Sequence, residues 1–212
     1  MIITTGPDIW TKTLSGDIDD VASLLDGGAD PNQLGGHPCF RPPLDLAVYY
    51  GDVDMMNLLL ENRADVEQRN YTGETPLHTS LHLVREIMGI LLEYGADIEA
   101  KDNRGATVLY STAQLGTAND LQYLIAKGAD VNTICTRDGS TPLMAALGII
   151  PGTGGDLEII RILLDSHANI FLRNHRGETA EDLAYYLQPG TIFEQLREER
   201  VRIEEIRSFN RG

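Results

Sequence analysis

Cysteine is scarce in this chain, with two among 212 residues, Cys39 and Cys135. Two thiols cannot staple a small secreted fold, so the chain reads as a protein of a reducing compartment. Positive charge is also short. Seventeen lysines and arginines face 32 aspartates and glutamates, giving a net charge of −15 and a pI near 4.6. That balance opposes long-range attraction to nucleic acid or anionic lipid and favours a basic or neutral protein partner. No window reaches ~18 consecutive apolar residues, and MIITTGPDIWTK at the start has neither the positive region nor the apolar stretch of a signal peptide. A cytoplasmic chain is expected, with the nucleus as the alternative. Absent too are GxSxG, HExxH and nucleophilic-cysteine constellations, so no catalytic residue, metal or cofactor is called for.

What is present is enough apolar material for a core, 42% of residues, and an internal period. Gly28-Ala29-Asp30 returns as Arg63-Ala64-Asp65, Gly95-Ala96-Asp97, Gly128-Ala129-Asp130 and His167-Ala168-Asn169. The intervals between the alanines are 35, 32, 33 and 39 residues. Ahead of each stands an aliphatic pair: Leu24-Leu25, Leu59-Leu60, Leu91-Leu92, Leu124-Ile125 and Leu163-Leu164. A second marker keeps the same phase, as PPLDLA from Pro42, TPLHTS from Thr75, TVLYST from Thr107, TPLMAA from Thr141 and TAEDLA from Thr179. Threonine at an N-cap accepts a bond from a free N–H of the first turn, and proline at the next position loses nothing because its N–H would be orphaned there. Each TPL therefore starts a helix. Gly51 can take the left-handed conformation that stops the first of them, and MMNLLLEN at 55–62 typifies the second helix of each unit.

These markers, at fixed offsets over nearly the whole chain, resemble the ankyrin repeat family, with its 33-residue period and T-P-L-H-x-A signature. The resemblance implies an all-α ankyrin-repeat solenoid of antiparallel helix pairs joined by β-turn fingers, about six units in a single domain over 1–212. The units are an N-terminal cap at 1–41, repeats at 42–74, 75–106, 107–140 and 141–178, and a C-terminal capping unit at 179–212. Gly16 lies 35 residues before Gly51, and in the cap Lys12 replaces a buried small residue, as suits an end unit with one face in water. The last unit carries no GAD. Its stretch 191–209 keeps Ile192, Leu196, Ile203 and Ile206 near helical spacing and is expected to form one long capping helix.

The glycine-rich stretch LGIIPGTGGDLEII at 147–160 is an insertion. From Thr141 to Ala168 is 27 residues, against 22, 21 and 22 in the three units before it. Asp156-Leu157-Glu158 follow its last glycine, where a phosphate-binding loop needs Lys and Ser or Thr. A loop between two helices is the better reading. His78 belongs to the signature, where the resemblance implies a structural role, hydrogen-bonding the backbone of a neighbouring unit. A metal shared by His78 and His82 is the weaker alternative, and His37, His167 and His175 fall in turns. Asp45 and Asp182 read as helix-start carboxylates favoured by the helix dipole. Asp17, Asp19, Asp20 and Asp26 read as a solvated face. Cys39 and Cys135 stand three units apart, about 20 Å or more, beyond the ~7 Å a disulfide spans.

The resemblance implies a concave groove formed by fingers and first helices. Within each first helix the fifth, eighth and ninth residues share a face. With the finger tips, this selects Trp10, Leu46, Tyr49, Tyr50, Tyr71, His82, Leu83, Asn103, Arg104, Gln114, Leu115, Arg137 and Tyr186 as binding residues. Aromatic and arginine side chains are the usual anchors of interfaces, so the expected function is non-catalytic protein binding through that groove. The repeat at 75–106 is one residue short between its helices, which works against His82 and Leu83. The alternative is a small-molecule-binding protein or unusual enzyme, carried by Tyr49, Tyr50, Tyr71 and His82. A third reading is an acidic decoy or effector that binds a basic partner by charge.

Overall fold

The computed structural model describes residues 8–34, 41–81, 83, 85–148, 157–187 and 191–209. Regular structure among them is helical throughout, and none of these helices is long and apolar enough to cross a membrane. Where the repeat predicts one domain over 1–212, the chain divides into two compact units, Met1–Asn103 and Arg104–Gly212.

The first unit holds three helix pairs: α1 (Ile9–Ser15) with α2 (Ile18–Asp26), α3 (Pro43–Tyr50) with α4 (Val53–Glu61), and α5 (Pro76–Thr79) with α6 (Arg85–Glu93). Helix α3 packs on α1, α4 and α5. The side-chain oxygens of Asp8, Asp17 and Asp52 accept bonds from Thr11 N (2.7 Å), Asp20 N (3.3 Å) and Met55 N (3.0 Å), which starts α1, α2 and α4. Gly51 ends α3 at φ 69°, a left-handed geometry that glycine adopts without steric penalty. Ile9, Val21, Leu44, Met55, Leu59, Leu77, Ile87 and Leu91 fill the interior. Each such side chain contributes about 1.5–3 kcal/mol by leaving water. Lys12, in α1, lies beside Asp17 and Asp20 and pairs with both.

Helix α5 has four residues where α3 has eight. Leu83 consequently lies in a bend beyond α5 and not on a helical face, which corrects the expectation that placed it on the groove helix. His82, in the same segment, lies outside the described residues, as do Cys39 and His37.

The second unit contains α7 (Val108–Leu115), α8 (Ala118–Ala126), α9 (Pro142–Leu147), α10 (Leu157–Asp165), α11 (Ala180–Leu187) and α12 (Thr191–Phe209). Thr107, Thr117 and Thr141 cap α7, α8 and α9 through Tyr110 N, Asp120 N and Met144 N. Leu109, Leu121, Leu124, Leu143, Ile160 and Leu163 form the core, and Ile192 and Leu196 seat α12 on it. The 19-residue α12 occupies the stretch expected to be a single helix. The insertion falls between α9 and α10, and residues 149–156 of it lie outside the described residues.

Within each unit, successive repeats are stitched at two heights. At the fingers, Asn103 N donates to Thr72 O (3.2 Å) in the first unit, and Thr136 N to Gly105 O (3.2 Å) and His175 N to Asp138 O (2.8 Å) in the second. At the GAD turns, a side-chain acceptor of one repeat takes the backbone N–H of the next. Asn32 accepts from Asp65 N (2.7 Å), Glu67 from Asp97 N (2.8 Å) and Asn132 from Asn169 N (2.6 Å). These N–H groups would otherwise be left to water at a turn.

Candidate functional site

Asp45 organises the exposed aromatic face of the first unit. It stands at the third position of α3, where the sequence suggests a dipole-favoured helix-start carboxylate. Its side chain is fully buried. A carboxylate removed from water needs partners, and Asp45 has three. Arg41 Nη1 donates to it at 2.7 Å, Asn70 Nδ2 at 3.4 Å, and the Thr79 hydroxyl closely. The partners come from the residue just before the Pro42 N-cap of α3, the next finger and α5, so one carboxylate ties three segments of the unit together.

Two of these ties position something exposed. The Arg41 guanidinium lies 4.4 Å from the Tyr49 ring centroid, a cation–π contact. Tyr49 and Tyr50 meet edge to face, with centroids 5.2 Å apart and planes at 81°. Despite these contacts the two rings remain 52% and 61% exposed. The Arg41 carbonyl accepts from Trp10 Nε1 at 2.8 Å, which holds the half-buried indole of α1 beside this face. On the finger side, Asn70 Oδ1 accepts from Thr72 N (3.0 Å) and Glu74 N (3.1 Å), fixing the turn whose tip is the exposed Tyr71.

Burial raises the Asp45 carboxyl above its ordinary value of 3.8. Thr79, Arg41 and Asn70 each pull it back without cancelling that effect. With the folded value above the unfolded one, folded Asp45 keeps its proton over a range where the unfolded chain has released it. Stability is therefore lost as pH rises through that range. Asp45→Asn should remove this component. As pH rises from about 4, the wild type should lose stability relative to the variant until Asp45 is ionised in both states, read from urea midpoints across a pH series. A wild type that gains on the variant instead would mean that Arg41 outweighs burial.

His78 is buried and structural. The Thr75 backbone N–H points at its Nδ1 (3.3 Å) with the Thr75 hydroxyl at 2.9 Å, so Nδ1 is the acceptor and the ring proton of the neutral form sits on Nε2. This bond caps its own helix, whereas the resemblance implies a bond to the backbone of a neighbouring unit.

Of the residues selected from sequence, Trp10, Tyr49, Tyr50 and Tyr71 are joined through Arg41, Asp45 and Asn70 in the first unit. Leu46 is a correction. It is 4% exposed and belongs to the core, because α3 is packed on three sides and only its last turn reaches solvent. Ser111, at the same position of α7, is buried likewise. Asn103 is exposed on its finger and donates to Tyr71 O at 3.5 Å. In the second unit Arg104 and Arg137 are exposed on fingers joined by Arg137 N to Arg104 O (3.1 Å), Gln114 is half-buried and Leu115 exposed. The side chain of Tyr186, like His82, lies outside the described residues.

Arg41 was missed, although its spacing of four from Asp45 is the signal of an ion pair. Tyr110, standing where the signature has histidine, is also outside the selection. It is buried beside Cys135, and that burial pushes its hydroxyl well above the usual tyrosine range. Cys135 is free and donates from Sγ to Arg104 O at 3.3 Å. A cavity of about 510 Å³ in the second unit is lined by Asp165, His167, Asn169, Phe171, Glu199 and Arg202 among others. None of the tyrosines proposed to carry a small-molecule site borders it.

The family model described as ankyrin repeats (three copies) matches residues 11–102 and 86–174. An ankyrin repeat-containing protein of Schizosaccharomyces pombe is 38% identical over 74 residues, 35% of this chain and 35% of that protein. An ankyrin repeat and SAM domain-containing protein 6 of Danio rerio is 26% identical over 152 residues, 71% of this chain and 20% of that protein. The matched parts are thus about a third and a fifth of these relatives' lengths. The capped helix pairs, the finger stitches and the matched residues agree, and the chain belongs to the ankyrin repeat family.

Proposed function

We propose that this chain is a protein-binding module and that its first unit binds through the face built on Tyr49, Tyr50 and the Arg41 guanidinium. Ankyrin repeats are in general protein-interaction modules. The observation that carries the finer reading is the exposed, edge-to-face tyrosine pair, pinned by an arginine that a buried carboxylate holds in place. Rings already fixed by neighbours lose little rotamer freedom on binding, so more of their contact energy appears as affinity. Tyrosine and arginine are also the residue types that dominate interface energetics.

Affinity capture from native lysate, comparing the wild type with Tyr49→Ala/Tyr50→Ala, tests the reading, with proteins and small molecules both read by mass spectrometry. A protein captured by the wild type and reduced about tenfold or more with the variant is the expected result. Equal capture by both would remove the tyrosine face from the function. A retained small molecule lost only from the variant would replace the proposal with ligand binding.

A further inference from the structure

The two units differ in charge. Residues 1–103 hold six lysines and arginines against 18 aspartates and glutamates, a net −12, whereas residues 104–212 hold 11 against 14, a net −3. The acidity of the chain is concentrated in the unit that carries the tyrosine face.

Its distribution at that face is specific. The turn at Gly16, between α1 and α2, and the turn at Gly51, between α3 and α4, occupy the same place in successive repeats, and α1 packs on α3 as α2 does on α4. Exposed apolar side chains crowd these two turns. Leu14 and Ile18 flank the first, and Tyr49 and Tyr50 end the helix before the second. Carboxylates follow at once. Asp19 and Asp54 are exposed at the second positions of α2 and α4, Asp52 caps α4, and Asp17 and Asp20 share Lys12. Large apolar side chains left in water next to solvated charges of one sign are the pattern of an interface.

We infer that Leu14, Ile18, Tyr49 and Tyr50, rimmed by Asp19 and Asp54, form a docking surface for a basic amphipathic segment of another protein, one that presents apolar side chains together with lysine or arginine. This rests on the protein-binding reading above and names the partner's chemistry. A partner cation has two kinds of recipient, the rim carboxylates and the Tyr50 ring, while Arg41 already covers Tyr49. A second copy of this chain is disfavoured as the occupant, because two units of net −12 repel.

The test uses the full chain and three synthetic peptides with the same leucines, whose polar positions are lysine and arginine, serine, or glutamate, with binding read by fluorescence anisotropy. The basic peptide should bind best and the glutamate peptide not at all. Asp19→Asn/Asp54→Asn should weaken the basic peptide roughly three- to tenfold and flatten its loss of affinity between ~0.1 and ~1 M salt, where the screening length falls from ~10 to ~3 Å. Asp26→Asn/Glu61→Gln removes the same charge from the far ends of α2 and α4, about 10 Å along each helix, and should weaken binding far less. Tyr50→Ser should cost about tenfold with the salt dependence unchanged. Neither Asp19 nor Asp54 caps a helix through its side chain, and all variants are compared at matched unfolding midpoints.

Equal losses from the near and far charge pairs, or no binding of the basic peptide, would overturn the inference. Serine-peptide binding as tight as the basic peptide's, and dependent on Tyr50, would also overturn it while leaving the protein-binding face intact. Binding of every peptide independent of Tyr50 would remove both.

Discussion

Leu91→Ala should lower the free energy of unfolding by about 2–5 kcal/mol, whereas Leu24→Ala should cost clearly less. Both leucines occupy the same position in their repeats, ahead of the GAD turn. Leu91 has no solvent exposure in α6, while Leu24 is half-buried in α2. Truncating Leu91 removes a full transfer contribution and leaves a void that close-packed neighbours fill only in part. Truncating Leu24 removes contacts already shared with water, and solvent occupies the gap. Urea unfolding followed by circular dichroism measures both. A larger midpoint shift for Leu24 would mean that the N-terminal unit is no cap.

The second large effect is at a finger. Gly105→Ala should destabilise by about 2–4 kcal/mol, and Gly177→Ala by about 1 kcal/mol. The two glycines have the same φ of 78°, so the left-handed penalty is common to both. They differ in what a Cβ would meet. At Gly105 it would lie 2.6 Å from the Thr136 backbone nitrogen, with the Thr136 side chain closer still, whereas at Gly177 nothing lies within 4 Å. Relieving the clash would separate the fingers and break the bond from Thr136 N to Gly105 O along with that from Arg137 N to Arg104 O. Thermal melting of the pair isolates the packing component. Equal shifts would show that the fingers part without loss.

The architecture was readable because its determinants are local and repeated. Caps, glycine stops and aliphatic pairs act within a few residues, whereas the missing residue near His82 signalled a disturbed register there but not the shortening of α5 to four residues. The site was readable only in part. The i, i+3, i+4 rule grouped Leu46 with Tyr49 and Tyr50, but helical periodicity gives the direction of a face and not the width that neighbours leave open. Packing on α1, α4 and α5 narrows that face to the final turn of α3. The role of Asp45 was hidden for another reason. Two of its partners, Asn70 and Thr79, are 25 and 34 residues ahead, a separation at which no short spacing rule applies. Asp19 of the acidic rim likewise reads from sequence as plain solvated charge, since its meaning comes from Tyr49 and Tyr50 at the equivalent turn of the next repeat.

The stitches between successive repeats decide where this chain can change length. From the alanine of each GAD to the next helix start the intervals are 13, 11, 11, 12 and 11 residues, whereas from helix start to alanine they are 22, 21, 22 and 27. The first interval carries the side-chain acceptors and finger bonds that a neighbour must meet, so an added residue there would displace two repeats at once. The second passes through the turn between paired helices, where only one repeat is affected. Length therefore varies by at most two residues on the side that neighbours measure and by up to six on the side that they do not, and a foreign domain spliced into this protein has its natural entry between α9 and α10.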